Sequence, residues 1–281
     1  MIQYEEFAPL PTLAAVVDCL WTLSGDAADL GADTQPVLPD GRPELILHFG
    51  DIFERIHDDG RIERQASVIF AGQLTAQLSL RPTGRIGVLG LRFHPYGAAA
   101  VFDAPQHELA GLTVGVDAIA RPLARSLEEV RAATNDPTEA AVLVQHALMR
   151  WIDPARIDPR VRHAALAIAQ RRGRISIDDV AETVSLTRRH LERRFLTSIG
   201  ISPKRLARIA RFQHALRVLD RSGSERPGTL AAAACGYADQ AHFIRDFRDL
   251  AGCPPGEHLL RQAELTGAFI GNRGIGESGN R

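Results

Sequence analysis

Two sets of residues in this sequence have types and spacings that could do chemistry. The first is basic and repeats. His190, Leu191, Arg193 and Phe195 recur as His242, Phe243, Arg245 and Phe247, each displaced by 52 positions. The second is mixed and scattered: Asp40, Glu44, His48, Asp51, Arg92 and His94 are the polar residues nearest a group of β-prone runs. A metal site built there would need a His-x-His pair with a further Glu and His, whereas His48 and His94 each stand singly, so neither a metal nor any other cofactor is expected. Arg92 beside His94 could bind an anionic effector, and His48 is the third candidate for effector contact. Asp40-Gly41 reads as turn chemistry, and His94 before Pro95 as support for a turn. Cys19 is a candidate nucleophile, but Leu20-Trp21 beside it suggests an ordinary buried thiol. With Cys235 and Cys253 it makes three widely spaced cysteines, which form neither a disulfide framework nor a zinc cluster. No catalytic constellation emerges, and an enzyme is not expected.

The elements that position these residues come from two unlike halves. The chain has 281 residues, 45% hydrophobic and 24% charged, which excludes a disordered or collagen-like protein. It has no run of eighteen apolar residues and no secretory pattern at its start, so a cytoplasmic protein without a membrane partner is expected. The net charge of −1 hides a division. Residues 1–155 carry 11 Arg against 21 Asp and Glu, and residues 156–262 carry 20 Lys and Arg against 11 acidic residues. Phosphate repels the first half and attracts the second. The expected division is therefore an acidic domain at 1–155, a basic domain at 156–262 and a disordered tail at 263–281, rich in Gly, Asn and Ser.

The basic half reads as helical throughout. Val161, Ala164, Ala165 and Ile168 have helical spacing within Arg160 to Arg172. Ser176, Thr187 and Asp239 are N-cap residues for three further helices, and Gly200 and Gly236 are stops. Ser202-Pro203 starts a long helix running to about Leu219, with proline at the first helical position. Gly228 to Cys235 reads as a short Ala-rich helix after a Ser222-Gly223-Ser224 turn. The repeat extends beyond Arg-x-Phe: Ala181 lies four before Ser185, and Ala232 lies four before Gly236. Each unit is a short helix, a tight turn and a second helix, which is a helix-turn-helix. The helix between the units spans roughly 26 Å at 1.5 Å per residue. With its ends added, that roughly matches the ~34 Å between successive major-groove faces on one side of B-DNA. One chain could read two groove segments of double-stranded DNA.

The segments D-D-V-A-E-T-V-S-L-T-R-R-H-L-E-R-R-F (178–195), G-I-S-P-K-R (200–205), R-F-Q-H-A-L-R-V-L (211–219) and A-A-C-G-Y-A-D-Q-A-H-F-I-R-D-F-R-D-L-A-G-C-P-P (233–255) resemble the DNA-binding domain of the AraC/XylS family of transcriptional regulators. Ser185 departs from the glycine usual in the first turn, Phe212 from the usual Leu or Ile, and Pro227-Gly228 from the apolar residue that often opens the second unit. The resemblance implies that Arg188, Arg189, Glu192 and Arg193 face outward on the first recognition helix. Asp239, Gln240, His242 and Arg245 are the matching set on the second. Arg can bond bidentately to guanine, Gln can pair with adenine and Glu can accept from cytosine. Lys204, Arg205 and Arg208 are assigned to phosphate contact, as is Arg211.

The acidic half is predicted as strands over Leu45–Phe49, Val68–Ala71, Ala76–Leu80 and Gly87–Phe93, with turns at Pro39-Asp40-Gly41, Asp58-Asp59-Gly60 and Pro82-Thr83-Gly84. Pro9 to Leu23 reads as a helix then a strand, and Tyr96–Phe102, Val114–Ala133 and Thr138–Ile152 read as helices. L-P-D-G-R-P-E-L-I-L-H-F-G-D (38–51) and G-L-R-F-H-P-Y-G-A-A-A-V-F (90–102) resemble an N-terminal domain found in a branch of these regulators. By analogy with the cupin-like sensors of the wider family, this half would be a small barrel or sandwich that binds an unknown small effector, with trailing helices that could pair two copies. The fold class is thus α+β, followed by an all-α domain of two helix-turn-helix units joined by a long helix. The expected function is sequence-specific DNA binding that regulates transcription, with RNA polymerase as a further partner. Two alternatives stand beside it. A DNA-repair-type regulator would use a reactive N-terminal cysteine, for which this half has only Cys19. A non-sensing DNA-binding protein would have an N-terminal half without a pocket.

Overall fold

Alternating apolar and polar residues place the acidic half in strands with two differently used faces. The computed structural model describes residues 1–30, 34–221 and 232–264. Strands β1 (Gln3–Phe7), β2 (Val17–Asp26), β9 (Arg85–Phe93), β4 (Glu44–His48), β7 (Val68–Ala71) and β10 (Thr113–Gly115) form a six-stranded sheet in that order. Strands β3 (Gln35–Val37), β8 (Leu78–Arg81), β5 (Glu54–Ile56) and β6 (Ile62–Arg64) form a second sheet. Every pairing in the two sheets is antiparallel. The architecture is two sheets, not one closed hydrogen-bonded barrel, so the sandwich form of the expectation holds.

The register sorts the side chains of the larger sheet. Leu20 lies opposite Leu91, Leu45 opposite Leu91 and Phe70, and Leu47 opposite Leu89. These residues turn to one face and pack on helices α2 (Arg121–Ala133) and α3 (Pro137–Met149) through Leu123, Leu127, Val144 and Leu148. The opposite face carries Trp21 across from Gly90, Glu44 across from Arg92, and Ile46 across from Gly90 and Ile69. A Cβ on Gly90 would stand 2.0 Å from Trp21 Cε2, so only glycine lets the indole lie against the sheet.

Four sequence readings change here. Residues 11–16 form turns, not a helix, closed by bonds three residues apart such as Leu13 N to Leu10 O and Val16 N to Leu13 O, both at 2.8 Å. The helix expected over Val114–Ala133 is broken into β10, α1 (Val116–Ile119) and α2. Pro122 cannot donate to Ala118 and its ring would clash there, so Ala120 leaves helical geometry at φ −153° and ψ 69°. Tyr96–Phe102 contracts to a short 3-10 turn at Gly97–Ala100. Strands β1, β3, β5, β6 and β10 are additional to those expected from the sequence.

The basic half is helical as expected: α4 (Pro159–Gln170), α5 (Ile177–Thr183), α6 (Arg188–Ser198), α7 (Pro203–Arg221), α8 (Gln240–Ala251) and α9 (Pro255–Glu264). A helical turn at 232–234 precedes Cys235. Pro227, Gly228, the Ser222-Gly223-Ser224 turn and the tail beyond Glu264 lie outside the described residues, as does the first half of the Ala-rich segment, residues 228–231. One core gathers Val161, Ile168, Val180, Leu191, Phe195, Leu206, Phe212, Leu216, Phe243 and Phe247. The internal repeat extends to individual hydrogen bonds. Leu186 N donates to Ala181 O at 3.0 Å, and Tyr237 N donates to Ala232 O at 3.1 Å. Both turns pass through a left-handed residue, Ser185 at φ 53° and Gly236 at φ 72°. Serine is strained there and glycine is not. Ser185→Gly should therefore raise stability by about 1 kcal/mol and Tm by about 2–4 °C, leaving DNA affinity unchanged, as measured by thermal melting beside a gel shift. No gain would mean that the Ser185 side chain makes contacts that offset its backbone strain.

Candidate functional site

The two recognition helices are built alike. Thr187 caps α6, its hydroxyl accepting from His190 N at 3.3 Å, and Asp239 caps α8, accepting from His242 N at 2.6 Å. Leu191 and Phe195 bury one face of α6, and Phe243 and Phe247 bury the same face of α8. Arg188, Arg189 and Arg193 are thereby exposed on α6, and Gln240 and Arg245 on α8. Not every member of the two sets is equally disengaged. Arg188 Nε lies 3.6 Å from Glu192 Oε1 one turn on, an exposed pair that DNA could displace at little cost. Asp239 already serves as a cap. His242 packs edge-on to Tyr237 with ring centres 5.3 Å apart and lies 3.7 Å from Asp246 Oδ2.

The residues assigned to phosphate divide further. Lys204 is exposed. Arg205 donates to the carbonyl of Thr75 in the N-terminal half. Arg208 donates to Asp246 Oδ1 at 2.8 Å and to Asp249 Oδ2 at 2.9 Å, holding α7 against α8. Arg211 stacks over Tyr237 at 5.4 Å. Arg205, Arg208 and Arg211 thus spend their guanidinium groups within the protein.

Between the two sheets lies a cavity of about 170 Å³. Its walls are mostly apolar, with Trp21, Ile46, Phe53, Ile69, Leu80 and Val88 among them. Arg92 stands at one side, with Nε donating to Glu44 Oε1 at 2.7 Å and with Asp40 and Glu6 carboxylate oxygens each 3.6 Å away. Trp21 Nε1 donates to the same Glu44 oxygen at 3.0 Å, and Tyr4 OH donates to Glu6 at 2.6 Å. Burial raises the Asp40 pKa to about 6, with Arg92 pulling it down and Glu44 pushing it further up. His48 also lines the cavity and donates through Nε2 to Gln65 Oε1 at 3.1 Å. Burial holds its pKa down at about 4, so the ring is neutral. Gln213 and Leu216 of α7, together with Cys253 and His258, complete the wall from the basic half. Gln213 Nε2 donates to Pro39 O at 2.8 Å, next to Asp40.

The structure separates Arg92 from His94. His94 Nε2 bonds Ala14 O at 3.1 Å, and Nδ1 lies 3.7 Å from Asp18, which holds Arg42 at 2.6 Å. Burial depresses the His94 pKa. Asp51 accepts from Arg85 N at 2.7 Å and shapes a turn. Cys19 Sγ lies 3.8 Å from Arg92 Nη1 and is half-buried. Burial outweighs that guanidinium and pushes the thiol up to about 12, so almost no thiolate forms near neutral pH. Native protein at pH 8 should therefore react with iodoacetamide at Cys19 at least tenfold more slowly than urea-unfolded protein. Equal rates would revive the reactive-cysteine alternative.

Two family models match the chain. One is a domain of unknown function (DUF6597) over residues 5–115, and the other is a helix-turn-helix domain over residues 180–261. Among solved structures, a probable AraC family transcriptional regulator from Rhodopseudomonas palustris CGA009 is 32% identical, over 37% of this chain and 97% of that one, with a TM-score of 0.34. The chain belongs to the AraC family. A second AraC-type regulator, from Chromobacterium violaceum, is 25% identical over 37% of this chain and 93% of that one, at a TM-score of 0.34. ToxT from Vibrio cholerae aligns over 95% of this chain and 99% of its own at 13% identity and a TM-score of 0.45. No curated protein matches. Among the described residues, no helix is long and apolar enough to cross a membrane.

For this AraC-family chain, the cavity is the part that reading the sequence did not assemble. The sequence marks Asp40, Glu44, His48 and Arg92 of the cavity lining, but not Tyr4, Trp21, Gln213, Leu216, Cys253 or His258. The alternation Cys19-x-Trp21-x-Leu23 carries a signal for the strand face. The contribution from the basic half carries none, because no local pattern shows which helix will close a distant sheet.

Proposed function

We propose that this AraC-family transcriptional regulator binds double-stranded DNA by placing α6 and α8 in neighbouring major-groove segments, and that a small effector in the cavity adjusts how the two helices are held. The reading keeps the division into a sensing part at 1–155, a reading part at 156–262 and a tail. Arg188, Arg189, Glu192 and Arg193 with Gln240 and Arg245 are the base-reading candidates, His242 and Asp239 orient α8, and Lys204 remains for phosphate. Arg208 becomes a brace that positions the second reader. One observation carries the effector half of the proposal: the cavity wall is shared, since Gln213 and Leu216 belong to the helix that joins the two readers. A ligand there touches the linking helix directly.

Gln213→Leu tests the coupling. It removes the bond to Pro39 O, worth about 0.5–1.5 kcal/mol, and touches no recognition residue. DNA affinity at fixed salt should change by about threefold or more. An unchanged affinity in a protein of unchanged Tm would sever sensing from reading and leave the DNA half of the proposal standing.

A further inference from the structure

The charged groups on the cavity wall match one another and are already engaged. Asp40 and Glu44 are its carboxylates, and Arg42 and Arg92 are its cations, among the described residues. Arg92 Nε donates to Glu44 Oε1 at 2.7 Å and lies 3.6 Å from Asp40 Oδ2. The Arg42 guanidinium is held by Asp18 at 2.6 Å, and Arg42 N donates to Asp40 Oδ1 at 2.9 Å. An ion of either sign entering here would have to draw its counter-charge out of one of these pairs. In a low-dielectric cavity that leaves a buried charge uncompensated, whereas an uncharged ligand disturbs none of them. A second, independent feature points the same way. Gln65 and Gln77 both line the cavity and are half-buried. Gln65 Oε1 accepts from His48, and its Nε2 has no hydrogen-bond partner among the described residues. The Gln77 amide has none on either side among the described residues. The polar capacity still open on the wall is thus that of neutral amides, and most of what surrounds it is apolar.

We propose that the cavity takes an uncharged molecule with an apolar, ring-sized body and one hydroxyl group, the body lying among Trp21, Ile46, Phe53 and Leu80 and the hydroxyl bonded by the amides of Gln65 and Gln77. The size agrees, since a cavity of about 150 Å³ accepts a benzene ring and this one measures about 170 Å³. A hydroxyl buried without a partner is costly, and the two amides supply both a donor and an acceptor for it. The proposal rests on the reading of the cavity as an effector site, and it names the chemistry of the effector.

The test uses four probes with one phenyl body: 2-phenylethanol, 2-phenylethylamine, 3-phenylpropionate and the zwitterion phenylalanine. Each is titrated calorimetrically into the full-length protein at pH 7.5, and a gel shift is run on the same preparation. The alcohol should bind at least tenfold tighter than the amine, the carboxylate or the zwitterion. Gln77→Leu keeps the size of a half-buried side chain and removes its amide, and it should lower the affinity for the alcohol at least threefold. Gln65→Leu should do the same and serves if Gln77→Leu does not fold. A charged probe bound as tightly as the alcohol, binding of none of the four, or alcohol affinity unchanged in both variants overturns the proposal. Alcohol bound as expected with no change in the gel shift upholds the ligand class and overturns the regulatory reading alone.

Discussion

Replacing Arg193 and Arg245 together with alanine should abolish selective DNA binding while leaving the fold intact. Both side chains are exposed and have no ion-pair partner among the described residues, so their loss removes nothing that holds the helices in place. Each bidentate contact to a base is worth ~1–3 kcal/mol of discrimination. For independent sites the two losses add, giving ~2–6 kcal/mol, or roughly thirtyfold to twenty-thousandfold in affinity for the specific site. The single variants distinguish reading from anchoring. Arg193→Ala should relax selectivity at one set of base pairs and Arg245→Ala at another, about one helical turn away, as read by selection from random DNA. A uniform loss across all sequences would demote either residue to a phosphate contact.

Arg208→Ala should act on stability first. Asp246 is almost fully buried in α8, with a side chain 8% exposed, and Arg208 is its cation at 2.8 Å. Removing one member of such a pair leaves a buried charge uncompensated, at a cost of about 3 kcal/mol. Tm should fall by about 6–12 °C on the scale for domains of 150–250 residues. Because Arg208 ties α7 to α8, the loss should weaken the second half-site more than the first. Replacing both partners, as Arg208→Met with Asp246→Leu, should recover most of the stability, since neither charge is then stranded. A free phosphate contact would behave differently: Tm would hold, and the slope of log affinity against log salt would flatten by about one.

Legibility differed between the halves for a physical reason. Helix caps and stops are local, so Ser176, Thr187, Asp239, Gly200 and Gly236 could be read one by one, and all five occupy the expected positions. The Arg-x-Phe repeat was legible because burying Leu191 with Phe195, or Phe243 with Phe247, fixes which way the arginine points. Strands of three residues such as Glu54–Ile56 and Ile62–Arg64 carry too little alternation to stand out from loops. The role of Arg208 was illegible because Asp246 and Asp249 meet it only after two helices far apart in sequence pack together. The same is true of Arg92: its sequence neighbourhood suggests an anion site, and only strand register brings Glu6, Asp40 and Glu44 around it.

The two-reader account is tested most directly by selecting bound fragments from genomic or random DNA with the full-length protein at fixed, near-physiological salt. The account predicts an enriched motif of two dissimilar half-sites about 10 bp apart, one lost in Arg193→Ala and the other in Arg245→Ala. A single half-site insensitive to one of the two arginines, or retention of DNA without any motif, would contradict it.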